Sequence, residues 1–191
     1  MRTAVVIPVK SFTMAKGRLA DTLTPSQRED LARTCAETVI RAASPLPAYV
    51  VCSDDDVASW AVSAGAHVVR CMTPGLDVAV AAGRTAIASE GFDHIIVAHA
   101  DLPLATSLAH VAREGMVTMV TDRHSDGTNV LSFPIASAFT TAYGPGSFDN
   151  HMRAAAACGL AHEVIHDPSL ALDLDTADDL SELERRRKDI S

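Results

Sequence analysis

Aromatic residues make up only 4% of this 191-residue chain. A buried core must therefore be filled by Val, Ala, Leu and Ile. Cysteine is sparse and unpatterned. Cys35, Cys52, Cys71 and Cys158 show no CxxC spacing, which argues against a zinc site or a disulfide framework and fits the reduced, mostly buried thiols of a cytoplasmic protein. Positive charge is in deficit, with 16 Lys and Arg against 24 Asp and Glu and a net charge of −8. That balance argues against a nucleic-acid partner, which calls for a basic face. No apolar run reaches the ~20 residues of a membrane span, and the first one is cut by Lys10, too early for a signal peptide. The usual phosphate signatures are missing too. There is no GxxxxGKS or GxxxxGKT, and "GPGSFD" at 144–149 is neither GxGxxG nor placed after a strand, so a P-loop enzyme and an ordinary dinucleotide dehydrogenase are disfavoured.

What is present is an alternation of strand-like and helix-like segments. "AVVIPV", "AYVVCS", "AHVVRC", "HIIVAHA" and "MVTMVT" are short and rich in Val and Ile, as strands covered on both faces should be. "TPSQREDLARTCAETVIRAAS", "DDVASWAVSAG", "GLDVAVAAGRTAIASEG" and "SLAHVAREG" carry helical periodicity, and several begin at Thr, Asp or Ser and stop at Gly. The closing "TADDLSELERRRKD" is acidic in its first turn and basic in its last, as a helix dipole prefers. The alternation predicts an α/β fold with a mainly parallel central sheet and helices on both faces. The length predicts one domain spanning residues 1–191.

In such folds ligands bind beyond the carboxyl ends of the strands. Three stretches there carry chemistry. In "PVKSFTMAKGRLA", Lys10, Lys16 and Arg18 can neutralise phosphates, or they form a solvated basic turn. In "HIIVAHADLP" the strand is expected to end at Asp101, where a carboxylate can hold Mg2+ or cap a helix. His99 beside it reads as a packing or hydrogen-bonding residue rather than a ligand. In "LALDLDTADDL", Asp173 and Asp175 share one face of an extended segment and repel unless a cation lies between them. Asp175 is alternatively a capping residue, with Thr176 the expected cap of the closing helix. Asp101, Asp173 and Asp175 together can hold one or two Mg2+ ions, an arrangement suited to nucleotidyl transfer. A fourth region, "SDGTNVLSFP" and "AYGPGSFDNHMRAA", offers Gly127, Gly144 and Gly146 for close backbone approach, Thr128, Asn129 and Ser147 as donors, and a helix beginning at Ser147 that can bind phosphate or carboxylate. Turn and capping chemistry accounts for either half taken alone.

Together, "PVKSFTMAKGRLA", "VVCSDDDVASWAVSAGA", "GLDVAVAAG", "ADLPL", "DGTNVL", "YGPGSFDNHMRAA" and "LALDLDTADDL" resemble the guanylyltransferases of coenzyme F420 biosynthesis over nearly the whole chain. The resemblance implies a Rossmann-like nucleotidyltransferase fold of the nucleotide-diphospho-sugar transferase type. It implies that GTP and a phosphorylated three-carbon acid, phosphoenolpyruvate or 2-phospho-L-lactate (3-phospho-D-glycerate in some members), give the guanosine diphosphate-linked acid and pyrophosphate. The product passes to the transferase that joins it to the deazaflavin. Carried over by position, the resemblance assigns the acid to Thr128, Gly144 and Ser147 and the metal, Mg2+, to Asp101, Asp173 and Asp175. It lays Lys10, Lys16 and Arg18 along the GTP phosphates and Gly75 of "GLD" near the nucleotide; of these, Lys16, Arg18 and Asp101 are the expected catalytic residues. A homodimer is a family expectation only. Gly17 departs from the family's usual Ser or Thr, and "RHSDGTN" from a Gly-richer run.

Two other readings stay open. A cytidylyltransferase or the molybdenum-cofactor guanylyltransferase shares the sheet and the metal carboxylates, but usually begins with an LxxGxGxRM-type loop that "VVIPVKSFTMAKGRL" lacks. A non-catalytic nucleotide-binding domain should have lost a carboxylate or loop cation, and all are present.

Overall fold

The computed structural model describes residues 1–190. Seven strands form one sheet in the order β3-β2-β1-β4-β6-β5-β7. They are β1 (Thr3–Pro8), β2 (Ala48–Cys52), β3 (His67–Arg70), β4 (His94–Ala98), β5 (Val117–Thr121), β6 (Thr128–Pro134) and β7 (His162–Val164). The helices are α1 (Pro25–Ala43), α2 (Asp55–Ser63), α3 (Leu76–Ser89), α4 (Ser147–Ala157) and α5 (Ala177–Ile190). Every neighbouring pair is parallel except β4–β6 and β5–β6, which are antiparallel. The expected α/β architecture with a mainly parallel sheet is therefore what the chain forms.

Alternation along β1 explains the two layers. Val5 and Ile7 point to the α1 and α2 side, where they pack with Val39, Ile40 and Val57. Ala4 and Val6 point the other way, against Val80 and Ile87 of α3. A strand covered on both faces has no polar side to show, which is why β1 reads as an unbroken apolar run. Gly83 lets α3 lie close on the sheet, because a Cβ there would meet Val6 Cγ1 at 2.5 Å. Helix starts follow local chemistry. Thr24 and Gln27 form a reciprocal capping box ahead of α1, and the Asp54 side chain accepts from Val57 N at α2.

Four details differ from the sequence expectation. "TNVLSFP" is a fully fledged strand, β6, inserted between β4 and β5 rather than a ligand loop. β3 is a half-exposed edge strand. "SLAHVAREG" makes only one 3-10 turn, Ala109–Val111; Leu108 N bonds Ala42 O at 2.9 Å and both Leu108 and Val111 are buried, so tertiary anchoring overrides the helical period. The β4 ladder ends at Ala98, three residues before Asp101. Among the described residues no helix is long and apolar enough to cross a membrane, and all four cysteines are free thiols.

Candidate active site

The sheet reverses its direction of growth at β1. β2 lies on one side and β4 on the other, and such a switch point opens a crevice beyond the strand ends. A cavity of about 640 Å³ lies there, lined from the segment after β1 by Lys10 and Lys16, from the β4 exit by His99 and Asp101, from the helix α3 entry by Gly75, and by Asp175.

Lys16 sits in the left-handed region, at φ 56° and ψ 37°, and its side chain turns inward. Lys16 Nζ donates to Asp101 Oδ2 at 2.8 Å and to Asp175 Oδ1 at 3.2 Å, with only 7% of the lysine side chain exposed. Burial opposes its charge, but the Asp101 and Asp175 carboxylates outweigh that and raise its pKa above the ordinary lysine value. Burial likewise opposes the charge of Asp101, yet the Lys16 ammonium holds that carboxyl below the usual range. Asp173 goes the other way: burial, and then repulsion from Asp101, push its pKa up. Oxygens of Asp101, Asp173 and Asp175 all lie within 4.8 Å of one another.

Local sequence explains this convergence. In "LALDLDT" the leucines Leu170, Leu172 and Leu174 are buried and the aspartates between them are partly open, so period-2 alternation turns Asp173 and Asp175 to one side. Leu174 N donates to Asp101 O at 3.1 Å, fastening the segment beside the β4 exit. The start of α5 is capped by others. Thr176 Oγ1 accepts from Asp179 N at 3.3 Å, and Asp179 Oδ2 accepts from Thr176 N at 2.7 Å and Asp175 N at 3.1 Å. Asp175 is thus free of capping duty, and Asp101 precedes no helix. Asp101 Oδ1 is buried without a partner, which a third hard oxygen in a carboxylate set awaiting a cation would be. The donor set suits Mg2+ in kind, three carboxylates and no soft ligand.

Because β6 runs antiparallel, its first residues arrive at the same edge as the β4 exit, with Ala98 opposite Val130. His99 N donates to Asn129 O at 3.0 Å. Asn129 Nδ2 in turn donates to Asp173 Oδ1 at 3.3 Å and Leu170 O at 3.0 Å, which orients the carboxylate. Thr128 is fully buried, its hydroxyl 3.0 Å from His151 Nδ1, while Ala142 N donates to His151 Nε2 at 3.0 Å. Gly144 and Gly146 adopt φ of +129° and +68° ahead of α4, which an ordinary side chain would strain. Ser147 opens α4 and is 3% exposed, and Gly146 N already faces Asp126 Oδ2 at 3.4 Å.

The structure therefore gathers Lys16, Asp101, Asp173 and Asp175 into one cluster and sets Lys10 and Gly75 on the same cavity wall. Arg18 is exposed and lies off that wall, and Thr128, Gly144 and Ser147 form a separate group beyond His99. The sequence gives no sign of the tie from Asn129 to Asp173, which lie 44 residues apart, or of the cavity position of His99.

A mainly parallel α/β sheet with a lysine-bridged carboxylate cluster at its switch point is an arrangement suited to nucleotidyl transfer. The fold is shared with a chain of Desulfovibrio desulfuricans G20 provisionally described as a nucleotide-diphospho-sugar transferase, at TM-score 0.74 and 12% identity over 98% of this chain and 88% of that one. Residues 3–187 match the protein-family model described as Guanylyl transferase CofC like, and the chain belongs to that family. It is 32% identical over 192 residues to the phosphoenolpyruvate guanylyltransferase of Sphaerobacter thermophilus, covering 96% of this chain and 93% of the relative. It is also 32% identical over 196 residues to the 2-phospho-L-lactate guanylyltransferase of Methanothermobacter thermautotrophicus, covering 96% and 84%.

Proposed function

We propose that this guanylyltransferase, acting as one domain over residues 1–191, joins GTP to a phosphorylated three-carbon acid, phosphoenolpyruvate or 2-phospho-L-lactate, and releases pyrophosphate for coenzyme F420 biosynthesis in the cytoplasm. The observation that carries the reading is the cluster of Lys16, Asp101, Asp173 and Asp175 on the cavity, in a chain whose relatives are named for these acids.

Both reactants are polyanions, so charge neutralisation and alignment are the main tasks. The three aspartates would hold Mg2+, which would supply positive charge to the phosphates. Lys16, beside these carboxylates on the cavity wall, would donate to the phosphates; Lys10 on the same wall would meet the far end of the triphosphate, with Arg18 outside that wall. Gly75 leaves room for the nucleoside at the entry to α3. The acid's phosphate is already ionised at neutral pH and attacks the α-phosphorus in line, with no general base required. Thr128, Gly144 and Ser147 shape the acid end, Thr128 by fixing His151 and the other two by forming the turn that opens α4, which Ser147 N closes by donating to Gly144 O at 3.1 Å. The product is then handed to the deazaflavin-joining transferase.

The test is pyrophosphate release with Mg2+ and that transferase present as a trap, comparing GTP, ATP, CTP and UTP against phosphoenolpyruvate, 2-phospho-L-lactate and 3-phospho-D-glycerate. Release with GTP and one of the first two acids is expected. Equal release with CTP would move the reading to a cytidylyltransferase.

A further inference from the structure

His99 lines the cavity, and the transfer chemistry above leaves it unused. Its Nε2 is buried and has no hydrogen-bond partner in the protein, although its ring lines the cavity with Asp101 and Asp175. A buried nitrogen left unpaired is costly, so beside a cavity it marks where a ligand atom belongs. Both the backbone and the ring of His99 have a neighbour. Its backbone N is tied to Asn129 O at 3.0 Å, and the Tyr143 ring packs 5.5 Å away, centroid to centroid, tilted by 40°.

Position decides which ligand. Ser53, Cys71, Thr73 and Gly75, from the ends of β2 and β3 and the α3 entry, line the far end of the cavity. His99 comes from β4, next to β6, and its neighbour Tyr143 directly precedes Gly144. His99, packed against Tyr143, thus stands on the side of the cavity from which the chain leads to the Gly144–Ser147 turn. A metal role is disfavoured by the donor set, which closes on three carboxylates without it.

We propose that His99 is a binding residue for the acid substrate, donating from Nε2–H to an anionic oxygen of a phosphorylated short-chain acid. The proposal rests on the guanylyl-transfer reading. The ring needs no net charge for this; the arriving anion selects the tautomer that carries hydrogen on Nε2. Tyr143 acts as a wall that keeps the imidazole edge turned to the substrate.

The test uses His99→Phe, which keeps a flat ring without the donor, and His99→Asn, whose amide is too short to reach the same point. KM for the acid is measured by pyrophosphate release at saturating GTP, and nucleotide affinity by fluorescence of mant-GTP with Mg2+. Losing a hydrogen bond to a charged group predicts an acid KM raised about 10- to 100-fold, with mant-GTP Kd within twofold of wild type. A variant that binds mant-GTP normally and keeps its acid KM within twofold overturns the proposal. So does a parallel loss of mant-GTP affinity in His99→Asn, which would place His99 on the nucleotide. Should wild-type protein release no pyrophosphate with any acid, the transfer reading falls together with this inference; an active wild type with unaffected variants removes His99 alone.

Discussion

Replacing Lys16 by Met removes one ammonium and keeps the length of the side chain. Its consequence can be worked from the geometry. Lys16 Nζ is 2.8 Å from Asp101 Oδ2, and the two side chains are 7% and 24% exposed. Breaking a fully buried pair by deleting one partner costs roughly 3–5 kcal/mol, because the remaining charge stays desolvated. Solvent reaching Asp101 reduces this to about 2–3 kcal/mol in metal-free protein. For a chain of this size that corresponds to a melting temperature lower by about 4–12 °C. Asp101→Asn added to Lys16→Met should return most of the loss, since neither partner is then stranded. Mg2+ should also raise the melting temperature of the Lys16→Met protein more than that of wild type, by giving its carboxylates the cation they lost. Differential scanning calorimetry in EDTA and in Mg2+ measures all three. A Lys16→Met protein that melts within 1–2 °C of wild type in EDTA, or a double variant in which the losses simply add, would refute the buried-pair argument.

Two further perturbations test other parts of the structure. His94, 2.8 Å from Ser132 Oγ, and His151 are both held neutral by burial, with pKa values pushed down to about 4. Their stabilisation is complete above the unfolded value near 6.5 and is lost as pH falls toward 4, adding about 1.4 kcal/mol per pH unit for each residue; urea melts between pH 6.5 and 4.5 should show a shallower pH slope in His151→Asn by about that amount. Asp179→Ala removes the acceptor for Asp175 N and Thr176 N and frees Arg123 from its Asp179 contact. It should cost about 1–3 kcal/mol in stability and weaken Mn2+ binding, read by electron paramagnetic resonance, because Asp175 loses its fixed backbone.

Much of this architecture is written locally. Val- and Ile-rich runs bounded by Gly, Asp and Ser mark β1, β2, β4 and β5, and the capping box at Thr24 and Gln27 marks α1. "LDLDT" is legible because alternation needs no distant partner: Leu172 and Leu174 go in, so Asp173 and Asp175 come out. β6 is not legible in the same way. Its antiparallel direction depends on pairing with β4 and β5, and the "SDG" before it, with Thr128 and Asn129 at its start, advertises a turn and a ligand loop rather than a strand. Lys16 shows the same limit more sharply. Its spacing from Arg18 fits a phosphate-neutralising loop and a solvated basic turn alike, whereas its inward placement comes from contacts to Asp101 and Asp175, 85 and 159 residues away. The difference between Lys16, turned inward, and Arg18, left exposed, is set by one left-handed backbone residue that no pattern of residue types announces. His99 likewise reads as packing until the cavity beside it is seen.

In the proposed function the lysine-bridged aspartates on this cavity hold the cation that guanylyl transfer needs. This role is tested most directly by Asp101→Asn, assayed for pyrophosphate release at saturating GTP, Mg2+ and acid substrate, with circular dichroism confirming the fold. Asparagine keeps the shape at the β4 exit and removes the charge that faces Lys16 at 2.8 Å. Loss of one preorganised charge at the reacting phosphate predicts a kcat lower by about 10²–10³-fold or more. A folded Asp101→Asn protein that turns over like wild type would contradict the account.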